Sequence, residues 1–271
     1  MLQQTKLVGS FCVVLHAFSL SYAGLYVQNF DSFTSGDTNF SDGSTLIGPT
    51  DQTNIFELPS TDKVLRLTQD TILPGIDAAL ILPDLDPGVA ITEFNASFDL
   101  LIKNDVGDPA ADGFAFSFGD IDISSGDEEG FGSNGGDVLN ITWDTFDNGG
   151  GDIFGRVAVD FNGSDLAGLD NTAAIIVETS LIGVSPQSVS IIWSAVNGLS
   201  VTYAGINVYS NDAIGLNPTA GNRFAFAART GDSNQDVFID DINISTVPEP
   251  NSYALLAGLL VCGYMITRRR K

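Results

Sequence analysis

The sequence predicts an all-β protein, with one antiparallel β-sandwich of the jelly-roll type lying between two hydrophobic ends. Short stretches of alternating apolar and polar residues recur between clusters of Gly, Asn and Asp. No long stretch shows the 3.6-residue apolar period of a helix. Roughly 220 residues between the two ends are enough to bury one core, so a single domain over residues 24–246 is expected.

Residues 1–23 predict a secretory signal peptide. Lys6 gives a positive start, residues 7–20 are mostly apolar, and Ser21 and Ala23 place small residues where a cleavage site before Gly24 requires them. We therefore expect signal peptidase to cut the peptide bond between Ala23 and Gly24. The alternative is a first strand or helix buried in the core.

Residues 247–271 predict a second processing signal. Val247-Pro248-Glu249-Pro250 precedes an apolar run over residues 253–266 and four basic residues, 268–271. The prolines are expected to end any preceding strand, and the apolar run is expected to form a membrane helix. At ~1.5 Å per residue that helix reaches about 21 Å, which is short of a hydrocarbon core of about 30 Å. The basic end is expected to stay in the cytoplasm.

This order of motif, short apolar helix and basic end resembles the PEP-CTERM sorting signal of Gram-negative bacteria. The resemblance implies recognition by an exosortase, which cleaves near the Pro-Glu-Pro motif and releases or transfers the domain outside the cell. The expected location is the cell surface or the extracellular space, with transient anchoring in the inner membrane. A plain tail anchor is the alternative.

The two ends also hold both cysteines and the one histidine of the chain, Cys12, Cys262 and His16. Residues 24–246 therefore contain neither residue type. This composition excludes disulfides, Ser-His-Asp and Cys-His nucleophile systems and the usual zinc sites from the domain.

The domain is strongly acidic. It carries six basic and 33 acidic residues, a formal charge of −27, and is expected to repel nucleic acid and anionic lipid. Of the 34 acidic residues in the chain, 28 are Asp. Asp is common in turns, and its carboxylate supplies oxygen ligands to metal ions, so this excess fits a loop-rich β protein that binds Ca²⁺. Solubility alone is the alternative explanation for most of these residues.

Alternation of apolar residues indicates where the strands lie. Phe114, Phe116 and Phe118 are expected to face one side of a strand, and Ala115 and Ser117 the other. Similar runs occur at Val157-Val159-Phe161, Ile191-Trp193, Val201-Tyr203, Phe224-Phe226 and Ile242-Ile244. Residues 34–54 are polar and rich in Gly, Ser and Asp, which predicts a long loop.

Three motifs carry the candidate chemistry. The first, over residues 110–116, contains Asp112 and Gly113. The second, over residues 141–163, contains an Asp-Thr-Phe-Asp-Asn sequence followed by three glycines and Asp152. The third comprises residues 228–231 and 236–242.

These motifs resemble those of the concanavalin A-like, L-type (legume) lectin superfamily. The resemblance implies that Asp112, with Gly113 beside it, hydrogen-bonds sugar hydroxyls, and that the Phe146 ring and Asn148 line the same site. It further implies a calcium shell made by Asp144, the main-chain oxygen of Phe146, Asn148 and Asp152. The second metal site of the legume pattern uses a Glu and a His; here Thr142 stands at the Glu position, so that second metal is not expected.

The calcium prediction also has a basis in the residues themselves. Ca²⁺ takes six to eight oxygen ligands at about 2.3–2.6 Å, and residues 149–151 are glycines that let the chain curl back towards Asp152. Two alternatives stay open. The second motif is also compatible with a Gly/Asp hairpin loop without an ion, and Asp112 with a turn-capping residue.

The third motif is interpreted as structural. Asp240 and Asp241 precede Ile242 and Ile244, which predicts the last strand, and Arg229 is expected to pair with a nearby acid.

The sequence thus favours a non-enzymatic surface protein with a lectin-like domain that binds glycan, such as the exopolysaccharide of a biofilm, with Ca²⁺ as a structural ion. A matrix or adhesion protein that binds no glycan is the alternative. A glycoside hydrolase of this fold would need two carboxylates about 5.5 Å apart. Glu128 and Glu129, the only close Glu pair, are adjacent and would point to opposite faces of a strand.

Overall fold

The computed structural model describes the residues between the two predicted processing signals. The described residues are 23–34, 37, 40–48, 55–70, 76–104, 109–124, 126–149, 154–166, 173–231 and 233–249. They belong to one compact unit that ends at Glu249. The predicted signal peptide up to residue 22 and the predicted sorting helix and basic tail lie outside them. In this part of the chain, no helix is long and apolar enough to cross a membrane.

Sixteen β-strands form the described part of the chain. They are β1 (Leu25–Gln28), β2 (Thr45–Ile47), β3 (Ile55–Glu57), β4 (Lys63–Thr68), β5 (Ile76–Ile81), β6 (Ile91–Lys103), β7 (Gly113–Ile121), β8 (Ser133–Asp144), β9 (Arg156–Phe161), β10 (Ser164–Asp165), β11 (Val177–Glu178), β12 (Gln187–Ser194), β13 (Gly198–Tyr203), β14 (Ile206–Asp212), β15 (Arg223–Thr230) and β16 (Asp236–Pro248).

Two sheets contain these strands. The nine-stranded sheet has the order β14-β13-β12-β6-β16-β4-β3, with β1 paired to β16 and β11 to β6. The seven-stranded sheet has the order β10-β9-β8-β7-β15-β5-β2. The long pairs are antiparallel, and the two-residue strand β11 is parallel to β6. The predicted antiparallel sandwich is therefore confirmed.

Aromatic side chains fill the space between the sheets. Phe114, Phe116 and Phe118 of β7 are fully buried in the main core, as their alternation predicts. Phe98 of the opposite sheet meets Phe116 with ring centroids 6.1 Å apart and Phe226 at 5.1 Å. Full burial of each such ring is worth about 1.5–3 kcal/mol, so these rings hold the two sheets together.

The other face of β7 is also buried. Ala115 and Ser117 are fully buried, and a second apolar cluster with Phe131 and Ala225 forms on the outer face of the seven-stranded sheet. Asn140 fixes Phe131 there, because its side chain accepts from the Phe131 N–H at 3.1 Å and donates to the Phe131 carbonyl at 3.2 Å. The loop after β7 therefore folds back over small residues on its own sheet.

The predicted loop over residues 34–54 contains a strand, which corrects the sequence interpretation. Strand β2 pairs with β5, with Leu46 opposite Leu80, and Leu46 is buried. Three residues are too short for alternation to be seen among polar neighbours, and the strand forms because β5 supplies an edge.

Candidate functional site

The three sequence motifs meet at one end of the seven-stranded sheet. Asp112 comes directly before β7, whose first residue, Gly113, is opposite Asp144 at the end of β8. On its other side Gly113 is opposite Arg229 near the end of β15. Asp112 thus lies between the ends of two neighbouring strands.

Main-chain contacts fix Asp112 from both sides. Its N–H donates to the Arg229 carbonyl at 2.9 Å, and its own carbonyl accepts from the Thr145 N–H at 2.9 Å. The Thr145 hydroxyl lies 2.9 Å from the same carbonyl oxygen. The peptide bond between Ala111 and Asp112 is cis. The predicted sugar-contacting residue is therefore joined directly to the start of the predicted calcium loop.

The Asp112 carboxylate lies between an arginine and a glycine. Its Oδ2 is 3.7 Å from Arg229 Nε, and its side chain is 6% exposed. A Cβ atom on Gly231 would come within 2.7 and 2.8 Å of the two carboxylate oxygens. The carboxylate therefore requires a residue without a side chain at position 231.

Gly113 is required for a different reason. A Cβ atom there would come within 2.5 Å of the main-chain oxygen of Trp143. The glycine predicted for the sugar site thus permits close pairing of β7 with β8.

Arg229 neutralises more than one acid at this site. Its Nη1 lies 3.4 Å from Glu128 Oε1, and its Nε lies 3.4 Å from Asp77 Oδ1. Glu128 Oε2 is buried and has no hydrogen-bond partner among the described residues, and burial raises the pKa of Glu128 to about 7. The predicted pairing of Arg229 with an acid is confirmed. The contact of Arg229 with Glu128 is not evident from the sequence, because the two residues are 101 positions apart.

The adjacent pair Glu128 and Glu129 diverges. Neither residue lies in a strand; both follow β7 in a turn in which Asp127 and Gly130 form an isolated bridge. Glu128 is buried and Glu129 is exposed. These two side chains therefore do not converge as the acid pair of a glycosidase must.

The predicted calcium loop begins at Asp144. Its Oδ1 accepts from the Phe146 N–H at 3.0 Å, and its carbonyl accepts from the Gly155 N–H at 2.7 Å, which closes the loop. Asp144 and Phe146 are half-buried, whereas Asn148 is exposed. Asp152, the fourth predicted ligand, lies outside the described residues.

The donor set of this loop fits calcium by its chemistry. Carboxylate, amide and main-chain oxygens are the ligands of a hard cation such as Ca²⁺, and no nitrogen or sulfur donor is involved. Among the described residues no three His, Cys, Asp or Glu come together as a metal-binding group. The predicted shell contains two carboxylates, Asp144 and Asp152, and only Asp144 is described.

A buried network of ionic residues adjoins the loop. Gln235, which is fully buried, has its Oε1 2.8 Å from the Thr145 hydroxyl, and its carbonyl accepts from the Thr68 hydroxyl at 2.8 Å. The next residue, Asp236, lies 3.7 Å from Arg66 and 3.6 Å from Lys103. This network is not predictable from sequence patterns, because its members come from three distant strands.

A groove of about 770 Å³ extends from the site along the outer face of the seven-stranded sheet. The turn over residues 127–133 forms one wall, and outward-facing residues of β8 and β9 form the floor. Its polar lining includes Asp127, Glu128, Asn140, Thr142, Asp144, Arg156 and Asp160. The groove places Asp144 at the junction between the sheet face and the loops.

No protein-family model and no curated protein matches the sequence. Solved structures do match. A basic winged bean lectin with Tn-antigen has a TM-score of 0.59 at 15% identity, covering 84% of this chain and 100% of that chain. A winged bean acidic lectin complexed with methyl-α-D-galactose has a TM-score of 0.58 at 16% identity, covering 83% and 100%.

The exoplasmic/lumenal domain of VIP36 in a Ca²⁺/Man3GlcNAc-bound form matches as well. Its TM-score is 0.57 at 14% identity, and the match covers 83% of this chain and 92% of that chain. Identities this low establish the fold rather than the ligand. The described residues between 23 and 249 therefore form an all-β sandwich with the concanavalin A-like lectin fold.

Proposed function

We propose that this chain is an exported bacterial surface protein whose sandwich binds glycan at the loops around Asp112, with Ca²⁺ as a structural ion. One observation carries the proposal: Thr145, which follows Asp144, contacts the Asp112 carbonyl through both its N–H and its hydroxyl, each at 2.9 Å. An ion that orders the loop after Asp144 would therefore also position the residue expected to meet the sugar.

Ca²⁺ would be held by Asp144, the main-chain oxygen of Phe146, Asn148 and Asp152. When bound, it supplies a fixed positive charge that offsets the acidity of this loop. The Asp144 carbonyl, which accepts from Gly155, holds the two arms of the loop together.

The sugar would be met by the Asp112 carboxylate, the Asn148 amide and the ring of Phe146. A carboxylate accepts hydrogen bonds from sugar hydroxyls, and a half-exposed aromatic ring stacks on the apolar face of a sugar. Arg229, whose Nε lies 3.7 Å from the Asp112 carboxylate, would hold that carboxylate in place. The sugars named for the winged bean lectins and for VIP36 support a glycan as the ligand class.

Export and sorting follow from the two ends of the sequence. The partners during processing would be signal peptidase, acting before Gly24, and an exosortase, acting at Val247-Pro248-Glu249-Pro250. A membrane helix over residues 253–266 would hold the chain in the inner membrane until that second step. Exopolysaccharide at the cell surface would then be the accessible glycan, whereas a charge of −27 disfavours nucleic acid.

A pull-down on immobilised polysaccharides and a glycan array test the proposal with the full chain. Retention is expected in Ca²⁺ and not in EDTA, and Asp112→Asn should abolish it. Asp31→Asn, which alters an exposed aspartate outside the site, serves as the matched control. Retention that is absent in both conditions, or unchanged by Asp112→Asn, would support a matrix or adhesion protein that binds no glycan.

A further inference from the structure

The start and the end of the sandwich meet at one corner. The amide nitrogen of Gly24 lies 2.9 Å from the Thr246 hydroxyl, and the Thr246 N–H donates to the Gly24 carbonyl at 3.0 Å. Strand β1 then continues alongside β16, with Leu25 opposite Ser245. Gly24 is the residue that signal peptidase is expected to expose as the new N-terminus.

A buried acid lies at the same corner. The Asp86 carboxylate forms a hydrogen bond with the Thr246 hydroxyl, and Asp86 is only 4% exposed. Within the described residues, no Lys or Arg forms an ion pair with Asp86. A buried carboxylate without a cation is costly, so a cation placed at this corner would stabilise Asp86.

The backbone of Gly24 is held tightly at this position. A Cβ atom on it would come within 2.6 Å of the Leu85 carbonyl oxygen and 2.8 Å of the Thr246 hydroxyl. Glycine is therefore needed here, and its nitrogen lies 2.9 Å from the Thr246 hydroxyl. Because Gly24 N and the Asp86 carboxylate both contact the Thr246 hydroxyl, they are at most two hydrogen-bond lengths apart, about 5.5 Å.

We propose that Asp86 is the counter-ion of the α-ammonium group that signal-peptide cleavage creates at Gly24. This inference rests on the export step of the proposed function. Hydrolysis breaks the C–N bond between Ala23 and Gly24; water adds its hydroxyl to the Ala23 carbonyl carbon and a proton to the Gly24 nitrogen. The new Ala23 carboxylic acid loses its proton and the Gly24 amine gains one. A neutral N–H with one hydrogen thus becomes a cation with three donors beside a buried carboxylate.

Cleavage would therefore stabilise the folded domain. The ion pair raises the pKa of the Gly24 amine in the folded state. For a cation with a raised pKa, the added stability is present at neutral pH and is lost as the pH rises through the pKa of the folded amine. Processing and folding stability would be linked through one residue.

The test uses the full chain exported from its own signal peptide, with the N-terminus read by mass spectrometry. A second chain carries an extra alanine between Ala23 and Gly24, so that cleavage after Ala23 places the ammonium one residue away from its site. At pH 7 the chain that begins at Gly24 should unfold about 3 °C higher than the extended chain. The difference should disappear in an Asp86→Asn background and remain in an Asp31→Asn background.

Titration of the ¹⁵N-labelled Gly24 amine gives a second measurement that does not require the Asp86 variant to fold. A raised amine pKa is expected in the chain that begins at Gly24. Equal unfolding temperatures for the two chains, or an ordinary amine pKa at Gly24, would overturn the counter-ion while leaving export intact. An N-terminus other than Gly24 would overturn the cleavage prediction together with the inference.

Discussion

Arg229 contacts Asp112 through both its side chain and its main chain. The Arg229 Nε lies 3.7 Å from Asp112 Oδ2, and the Arg229 carbonyl accepts from the Asp112 N–H at 2.9 Å. The same guanidinium reaches Asp77 and Glu128. One cation thus serves three acids in a domain with few basic residues. This arrangement sets the charge of the candidate sugar site.

Removing that cation should destabilise the protein in a pH-dependent way. Arg229→Gln leaves the buried Glu128 without its partner, and we expect a loss of about 1 kcal/mol in the free energy of unfolding at pH 8, since Arg229 is itself partly exposed. At pH 5 the loss should be smaller because Glu128, with a pKa of about 7, is then neutral. Urea unfolding at both pH values measures this. Arg223→Gln, at an exposed position on the same strand, is the control. Equal losses for both variants would show that the pairing of Arg229 with Glu128 does not cause the loss.

Two glycine substitutions should impair different properties of the protein. Gly231→Ala pushes only the end of the Asp112 side chain, so the fold should survive while glycan retention falls at least tenfold. Gly113→Ala meets the main-chain oxygen of Trp143 at 2.5 Å, so it should destabilise the fold itself. Circular dichroism and polysaccharide pull-down separate the two effects. Full glycan retention by a folded Gly231→Ala protein would argue against Asp112 as the sugar ligand.

Asp240 should make the protein less stable above neutral pH. It is buried, its Oδ1 has no hydrogen-bond partner in the part of the chain that the structure describes, and burial raises its pKa from 3.8 to about 7. An acid whose folded pKa is raised contributes stability below pH 4, and this contribution is lost as the pH rises to 7. Asp240→Asn should therefore raise the melting temperature at pH 8 by about 3 °C and leave it nearly unchanged at pH 4.

The control for that comparison is Glu129→Gln, which removes an exposed carboxylate. It should leave the melting temperature within about 1 °C of that of the unmodified protein at both pH values. A parallel rise in both variants would mean that net charge, and not burial of Asp240, is responsible.

Thr145 should affect calcium affinity without being a ligand. Its hydroxyl contacts Asp112 and Gln235, so Thr145→Val loosens the start of the loop. We expect Ca²⁺ to bind about 10-fold more weakly, which is typical of losing a contact behind a metal ligand. Calorimetric titration measures the change. Thr202→Val, a half-buried threonine of β13, should bind Ca²⁺ like the unmodified protein, and an equal loss there would refute the role of Thr145.

Periodicity predicts the strands of this fold well where they are long. The Phe114-Phe116-Phe118 alternation places β7 correctly, and Ile242 and Ile244 locate the last strand. The prediction misses β2, because three residues carry no readable period. Strand β16 also runs through Val247 and Pro248, and the Glu249 N–H donates to the Ala90 carbonyl at 2.7 Å. The first residues of the predicted sorting motif are thus held by the sandwich.

The candidate site is only partly predictable. The motifs correctly predict that Asp112 and Asp144 lie close together, because Asp112 precedes β7, Asp144 ends β8, and these two strands pair. The contribution of Arg229 and Glu128 depends on a turn that folds back over the sheet, and Gln235 acts through contacts with strands far away in sequence. Such contacts arise from tertiary packing, which single-sequence patterns do not encode.

A calcium titration of the full chain measures whether the loop that begins at Asp144 binds the ion. We expect one saturable Ca²⁺ site that is lost in Asp144→Ala and retained in Asp147→Ala, which changes an exposed neighbour outside the predicted shell. Asp112→Asn should still bind Ca²⁺ although it no longer retains glycan. An absence of Ca²⁺ binding, or equal binding by the Asp144→Ala and Asp147→Ala proteins, would contradict the predicted site.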